Sequence, residues 1–208
     1  MKIINASVLK YICPWPLWNI HKDNHIFITF DDGPHHQYTI SALKILKDYN
    51  TKATFFLTGE KIIEFPGVVE KIIKDRHTVG NHGFTHKSLI FKNKNHIHEE
   101  IDKTSQAIHN IIGEDPKLFR PPYGWFDFRF KKIMKQKKMI MVLWSLLSYD
   151  FRETNSQVLY QRIIQHISPG DIIVFHDGHE NAPVMLQILP DVLTWITEKK
   201  WIMTGIPV

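Results

Sequence analysis

Asp31 and Asp32 stand side by side in Thr29-Phe30-Asp31-Asp32-Gly33-Pro34, directly after the apolar run Ile26-Phe27-Ile28. Successive side chains of a strand point to opposite faces. At a fraying strand end, two neighbouring carboxylates can therefore take different tasks, one holding a metal and the other a proton. Two unpaired like charges this close are costly to bury without a cation or a shared proton. Asp-Asp-Gly-Pro is also good turn chemistry. Taken alone, the segment weighs equally as a solvated turn and as a site.

Three further segments tip that balance. Asn81-His82-Gly83-Phe84-Thr85-His86 sets two histidines four apart. Such pairs also occur on helix surfaces, but Gly80 and Gly83 argue for a turn. An aspartate with two histidines gives three ligands and an open position, the arrangement of a catalytic rather than a structural zinc-type centre. In Arg120-Pro121-Pro122-Tyr123-Gly124 the prolines stiffen the backbone. An arginine there can hold a carboxylate, and the Tyr123 N–H is free to face a cleft; alone, the segment reads as a rigid turn. Ile172-Ile173-Val174-Phe175 delivers His176 at the end of a buried-type strand. By itself His176 is a core or rim histidine; beside the other three segments it reads as a proton-transfer group.

These segments need a scaffold that brings them to one rim. Short β-rich runs fall at Ile26–Phe30, Ala53–Leu57, Thr78–Gly80, Leu118–Arg120, Met139–Leu147, Ile172–Phe175 and Trp201–Ile206. Helix-like stretches lie between them at Tyr38–Tyr49, Val68–Lys74, Ile97–Ile112, Asp127–Lys138, Ser156–Ile167 and Pro183–Lys199, with Asn155 or Ser156 as a cap. The strand runs are apolar without strict alternation, as parallel strands covered on both faces are. About seven strand-helix units in one domain predict an α/β fold, either a (β/α) barrel or an open doubly wound sheet. Asp31-Asp32, His82, Arg120 and His176 all fall at or just after strand C-termini, the active-site face of a (β/α) barrel.

Composition bounds the rest. The chain has 208 residues, a net charge of +5 and a single cysteine, Cys13, so it forms no intramolecular disulfide. The basic balance favours anionic partners, and peripheral membrane association is compatible with it. The densest run, Lys131-Lys132, Lys135 and Lys137-Lys138, fits the solvated face of a helix. The lysines are otherwise dispersed and no nucleic-acid motif accompanies them, so no nucleic-acid partner is expected. No segment is apolar enough to span a bilayer. Residues 1–23 read as a lead-in packed on a 24–208 catalytic domain, and Met1–Cys13 fits a signal peptide poorly. A cytoplasmic location is therefore expected, with an envelope-associated one as the alternative.

Together these motifs resemble those of the NodB-homology polysaccharide deacetylases, carbohydrate esterase family 4. The resemblance runs in order from about Ile26 to the C-terminus and extends between motifs, as in Lys52-Ala53-Thr54-Phe55-Phe56. It implies a single-domain distorted (β/α) barrel and a metal-dependent hydrolase that removes acetyl groups from an N-acetylated sugar. It implies a divalent metal on Asp32, His82 and His86, most often zinc, with cobalt or nickel as substitutes. Asp31 would be the general base, held by Arg120, and His176 the general acid. The Tyr123 N–H would face the oxyanion, and Pro121, Tyr123 and Phe151 would touch substrate. An O-acetyl esterase or a non-catalytic carbohydrate-binding relative would share most of these residues.

One departure stands out. Where the family commonly has Asp-Ser-x-Asp-Trp, this chain has Leu147-Ser148-Tyr149-Asp150-Phe151. Leu147 replaces the aspartate that buttresses the acid histidine, which predicts a lowered His176 pKa, unless Asp150 or Asp177 compensates. Phe151 replaces the pocket tryptophan and still supplies an apolar wall. Trp144 is expected in the core. His35, His36, His96 and His98 are expected at the surface, and His179 is left undecided.

Overall fold

The computed structural model describes residues 10–208, so the first nine residues of the expected lead-in lie outside the described residues. Eight strands, β1 (His25–Gly33), β2 (Thr54–Leu57), β3 (Thr78–Asn81), β4 (Leu118–Phe119), β5 (Ile140–Met141), β6 (Leu146–Leu147), β7 (Ile172–His176) and β8 (Ile202–Thr204), form one sheet. Its order is β5-β4-β3-β2-β1-β7-β6, with β8 on β1, and every ladder is parallel. The helices are α1 (Tyr38–Asp48), α2 (Gly59–Glu64), α3 (Pro66–Lys74), α4 (Lys94–Ile112), α5 (Arg129–Lys137), α6 (Ser156–Ile164) and α7 (Ala182–Glu198). The sheet curls into a distorted (β/α) barrel, as the alternation of strand and helix patterns predicts.

The central strand explains the layering. On β1, Ile26, Ile28 and Phe30 pack outward into the cluster shared with α1, α3 and α7, where Leu46, Val69 and Leu189 are fully buried. Phe27 points the other way, into the barrel, against Phe56, Leu118, Val142 and Ile172. Alternation then puts Phe27, Thr29 and Asp31 on the inner face. Asp31 is the last of the three and stands in register with His176 of β7.

Two expectations are revised. Met139–Leu147 is two short strands rather than one, because Val142–Ser145 turns a corner and the Ser145 hydroxyl bonds Asp171 at 2.6 Å. β5 and β6 therefore end the sheet path. The Pro-Trp segment of the lead-in reaches across at this point: Leu17 N–H donates to Met141, its carbonyl accepts from Leu143, and Trp18 is buried. Helix α2 was not foreseen, since six residues starting at a glycine carry no readable period. Its first two N–H groups donate to the carbonyls of Gly83 and Phe84. The Asn155 side chain caps α6 by accepting from the Val158 N–H, as its position predicts.

The lysine-rich run lies on α5, which buries Phe130, Ile133 and Met134 and exposes Lys131, Lys132 and Lys135. No helix among the described residues is long and apolar enough to cross a membrane.

Candidate active site

A cleft of about 790 Å³ opens at the C-terminal ends of the strands. Asp31, Asp32, His82, His86, Tyr123, Phe151 and His176 line it, so segments separated by up to 145 positions meet there.

The two aspartates serve the same cleft for a reason that strand alternation did not reveal. Register with β2 shifts between Asp31 and Gly33, and Asp32 sits at φ 71. That is a β-bulge with its extra residue in the left-handed region, which aspartate tolerates better than most residues. The bulge turns Asp32 back toward the rim instead of the outer face. Gly178 must come close to hold this bend, since a Cβ there would lie 1.9 Å from the Asp32 carbonyl oxygen. The Lys61 ammonium of α2 bridges the carbonyls of Asp32 (2.9 Å) and Gly178 (2.6 Å).

Asp31 is paired from below. Arg120, fully buried, donates from Nη1 to Asp31 Oδ1 at 2.6 Å and to Thr29 Oγ1 at 2.9 Å. Its Nη2 donates to the Leu143 carbonyl at 2.9 Å, and the guanidinium lies 4.1 Å from the Phe56 ring centroid. A buried charge with this many partners is well compensated, and removing one member of such a pair costs about 3–5 kcal/mol. The other carboxylate oxygen, Oδ2, is 3.8 Å from His82 Nε2 and faces the ligand cluster.

Asp32, His82 and His86 offer ligand atoms that all lie within 4.8 Å of one another. His82 Nδ1 is 2.7 Å from the Arg120 carbonyl. A carbonyl only accepts, so Nδ1 carries a proton, and this contact turns Nε2 toward Asp32 Oδ1, 3.3 Å away. His86 Nε2 approaches the same oxygen at 2.8 Å. Asp32 Oδ1 is buried and has no hydrogen-bond partner. Two imidazole nitrogens converging on a buried carboxylate oxygen form a ligand set that suits a divalent cation. Burial opposes the Asp32 charge, yet the two imidazoles and the charge on His176 hold its carboxyl well below the usual range.

His176 corrects an expectation. Its Nδ1 lies 2.7 Å from Asp150 Oδ1, and its backbone N–H donates to Asp150 Oδ2 at 2.7 Å. Burial alone would lower its pKa, but the charge and hydrogen bond of Asp150, followed by Asp32 and Asp31, push it up to about 9. Leu147 therefore does not leave the histidine unbuttressed; the second acid of the motif takes the role. Asp177 does not: it is buried, accepts from the Thr39 hydroxyl, and is pushed by burial up to about 7.

Phe151 meets the His176 ring edge-on at 5.0 Å and walls the cleft. Tyr123 is in the left-handed region at φ 61; the hydrogen bonds of its turn run from Gly124 and Trp125, so neither uses its N–H. Pro121 is buried, lies outside the residues that line the cleft, and shapes the turn. Trp144 is half-buried: it packs against the core residues Val142 and Leu143 as expected and also lines the cleft, where Gly124 lets it in, since a Cβ there would be 2.4 Å from its ring. His179 also lines the cleft, whereas His35, His36, His96 and His98 do not.

Glu100 of α4 went unnoticed in the sequence. It is 4% exposed and accepts from the N–H groups of Phe84 (3.0 Å) and Thr85 (2.9 Å) and from the Thr85 hydroxyl (3.1 Å). It thus fixes the loop between the two histidines. Asn81 fixes the same loop from below, accepting from Gly83 N–H at 2.9 Å and donating to the Ile101 carbonyl at 2.8 Å.

A family model described as "Polysaccharide deacetylase" matches residues 19–142. The chain belongs to the polysaccharide deacetylase family. A peptidoglycan-N-acetylglucosamine deacetylase of Bacillus cereus is 32% identical over 174 residues, which cover 81% of this chain and 63% of the relative. The chain thus spans less than two thirds of that relative's length. Among solved structures, a peptidoglycan N-acetylglucosamine deacetylase bound to a hydroxamate-type benzamide superimposes with a TM-score of 0.90 at 26% identity, covering 96% of this chain and 94% of that one. A pseudoenzyme of the same esterase family from Bacillus anthracis superimposes with a TM-score of 0.85 at 26% identity, covering 95% and 69%. Likeness of fold is thus shared by active and inactive members, and the residues of the cleft carry the distinction.

In this deacetylase-family site, Glu100 reaches the candidate ligands His82 and His86 only through the loop between them. Replacing Glu100 with alanine should weaken zinc affinity by about 10- to 100-fold, the usual worth of an outer-shell partner. Chelator competition would measure it, with circular dichroism confirming the fold. Unchanged affinity would show that the loop holds its shape without the carboxylate.

Proposed function

We propose that the chain is a metal-dependent hydrolase that removes N-linked acetyl groups from a sugar of a GlcNAc-containing glycan. The observation that carries this reading is the pairing of Asp31 with Arg120 and of His176 with Asp150, on either side of the Asp32–His82–His86 cluster. Family membership and the named function of the Bacillus cereus relative support it.

A divalent cation on Asp32, His82 and His86 would polarise the acetyl carbonyl and acidify water beside it. Zinc is the reading for the ion, and the nitrogen-and-carboxylate ligand set suits it, with cobalt or nickel as substitutes. The protein's own groups do the rest. Asp31, held by Arg120 through one oxygen, accepts the proton of the attacking water through the other. As oxygen adds to the carbonyl carbon, the Tyr123 N–H can donate to the charge developing on the carbonyl oxygen. His176 holds its proton at neutral pH and gives it to the sugar nitrogen as the C–N bond breaks. Acetate and a free amine leave. The charged His176 favours an amide over an ester, because an amine leaves as a neutral molecule only when protonated, while an alkoxide needs less help.

Chelated protein should release no acetate from GlcNAc oligomers or peptidoglycan fragments, and zinc or cobalt should restore release. Protein that binds the metal but releases nothing would assign the chain to the non-catalytic members of the fold.

The pH profile probes the acid separately. His176 is protonated below its raised pKa and loses its proton as pH climbs through about 9, so activity should fall on that alkaline limb. Asp150→Asn removes the foremost influence raising that pKa, and the limb should move toward neutral pH by a unit or more. An unmoved limb would remove His176 as the acid.

A further inference from the structure

The wall of the cleft continues outward as a ridge of exposed aromatics. Trp125 lines the cleft, and Phe128, three residues on, is 87% exposed. Phe91, from the loop after the metal-ligand segment, is 88% exposed. The two loops are tied together: the Arg129 guanidinium donates to the Lys92 carbonyl at 2.6 Å and pairs with Asp127, which also accepts from the Phe91 N–H. Two phenylalanines are thus held out into solvent on a braced junction, where nothing in the described fold uses them.

The surrounding charge is one-sided. From His82 to His98 the chain carries Lys87, Lys92 and Lys94 and no acid. From Arg120 to Lys138 the sole acid is Asp127, already spent on Arg129, while Lys131 and Lys132 are exposed. Exposed apolar tips on two segments whose unpaired charges are lysines match an interface that is apolar within and anionic at its surface. A soluble anionic polymer would use the lysines but leave the two rings without a role.

We propose that this Phe91–Phe128 ridge docks on an anionic lipid surface, with the rings entering the headgroup region and the lysines meeting lipid phosphates. Docked this way, the mouth of the cleft lies beside the bilayer surface. The binding is independent of the deacetylase reading, because it needs no turnover to be seen.

The test is co-sedimentation of the full chain with phosphatidylcholine vesicles, with and without phosphatidylglycerol. Binding is expected only with the anionic lipid and should weaken as salt rises. The double variant Phe91→Ser/Phe128→Ser should bind at least about tenfold more weakly, since it removes most of the apolar area offered to the interface. Its thermal stability and its acetate release from a soluble oligomer should be unchanged. No binding to anionic vesicles at low salt would overturn the proposal. So would binding that survives the double substitution, which would mean that a basic chain adheres by charge alone.

Discussion

Everything at the rim depends on holding two adjacent carboxylates apart at the end of one buried strand. Left alone, Asp31 and Asp32 would repel each other in a poor dielectric, and one would take up a proton. The fold counters this by giving each its own partners, a guanidinium for Asp31 and two imidazoles for Asp32. Arg120 enters from beneath, filling the barrel with its guanidinium against Phe56 and Thr29, and takes one oxygen of Asp31. The bulge at Asp32 swings the second carboxylate toward two imidazoles and the place for a cation. Base and ligand are thereby separated by backbone geometry, although they are neighbours in sequence.

The same logic organises the opposite wall. His176 is largely buried, and burial alone would favour its neutral form. Asp150 holds it by ring and by backbone and keeps its proton in place. Asp31 and His176, the base and acid of the proposed reaction, then sit on adjacent strands in register. Glu100 and Asn81 stiffen the loop that brings in His86, and Lys61 ties the bulge to the segment after β7. Glu100 and Asn81 lie outside the lining of the cleft, whereas Lys61 also lines it.

The residues that chemistry dictates by type were legible in the sequence. Asp31, Asp32, His82, His86, Arg120 and His176 lie at strand ends that short apolar runs mark out, and a motif of several such residues constrains itself. The supports were not. Glu100 is one acid in the middle of an amphipathic helix, and Lys61 one base in a helix too short to show a period; only the tertiary fold gives either a partner. Asp150 lay in plain sight, but position-matching to the family favoured residue 147 for the buttress, and the choice depended on how the corner after β6 turns. Trp144 read as core, and its second place on the cleft wall did not show, because the chain bends there and Gly124 opens a slot for the ring. The bulge at Asp32 had no sequence signal beyond the glycine after it.

The division of labour between the two aspartates is the central claim, and paired zinc titrations test it most directly. Zinc affinity and acetate release would be measured for Asp31→Asn and Asp32→Asn against the unaltered chain. The account predicts that Asp31→Asn keeps zinc affinity within a few-fold while losing turnover, and that Asp32→Asn loses the metal itself. If Asp31→Asn abolished zinc binding as fully as Asp32→Asn, both carboxylates would be ligands, and the base would have to be sought elsewhere in the cleft.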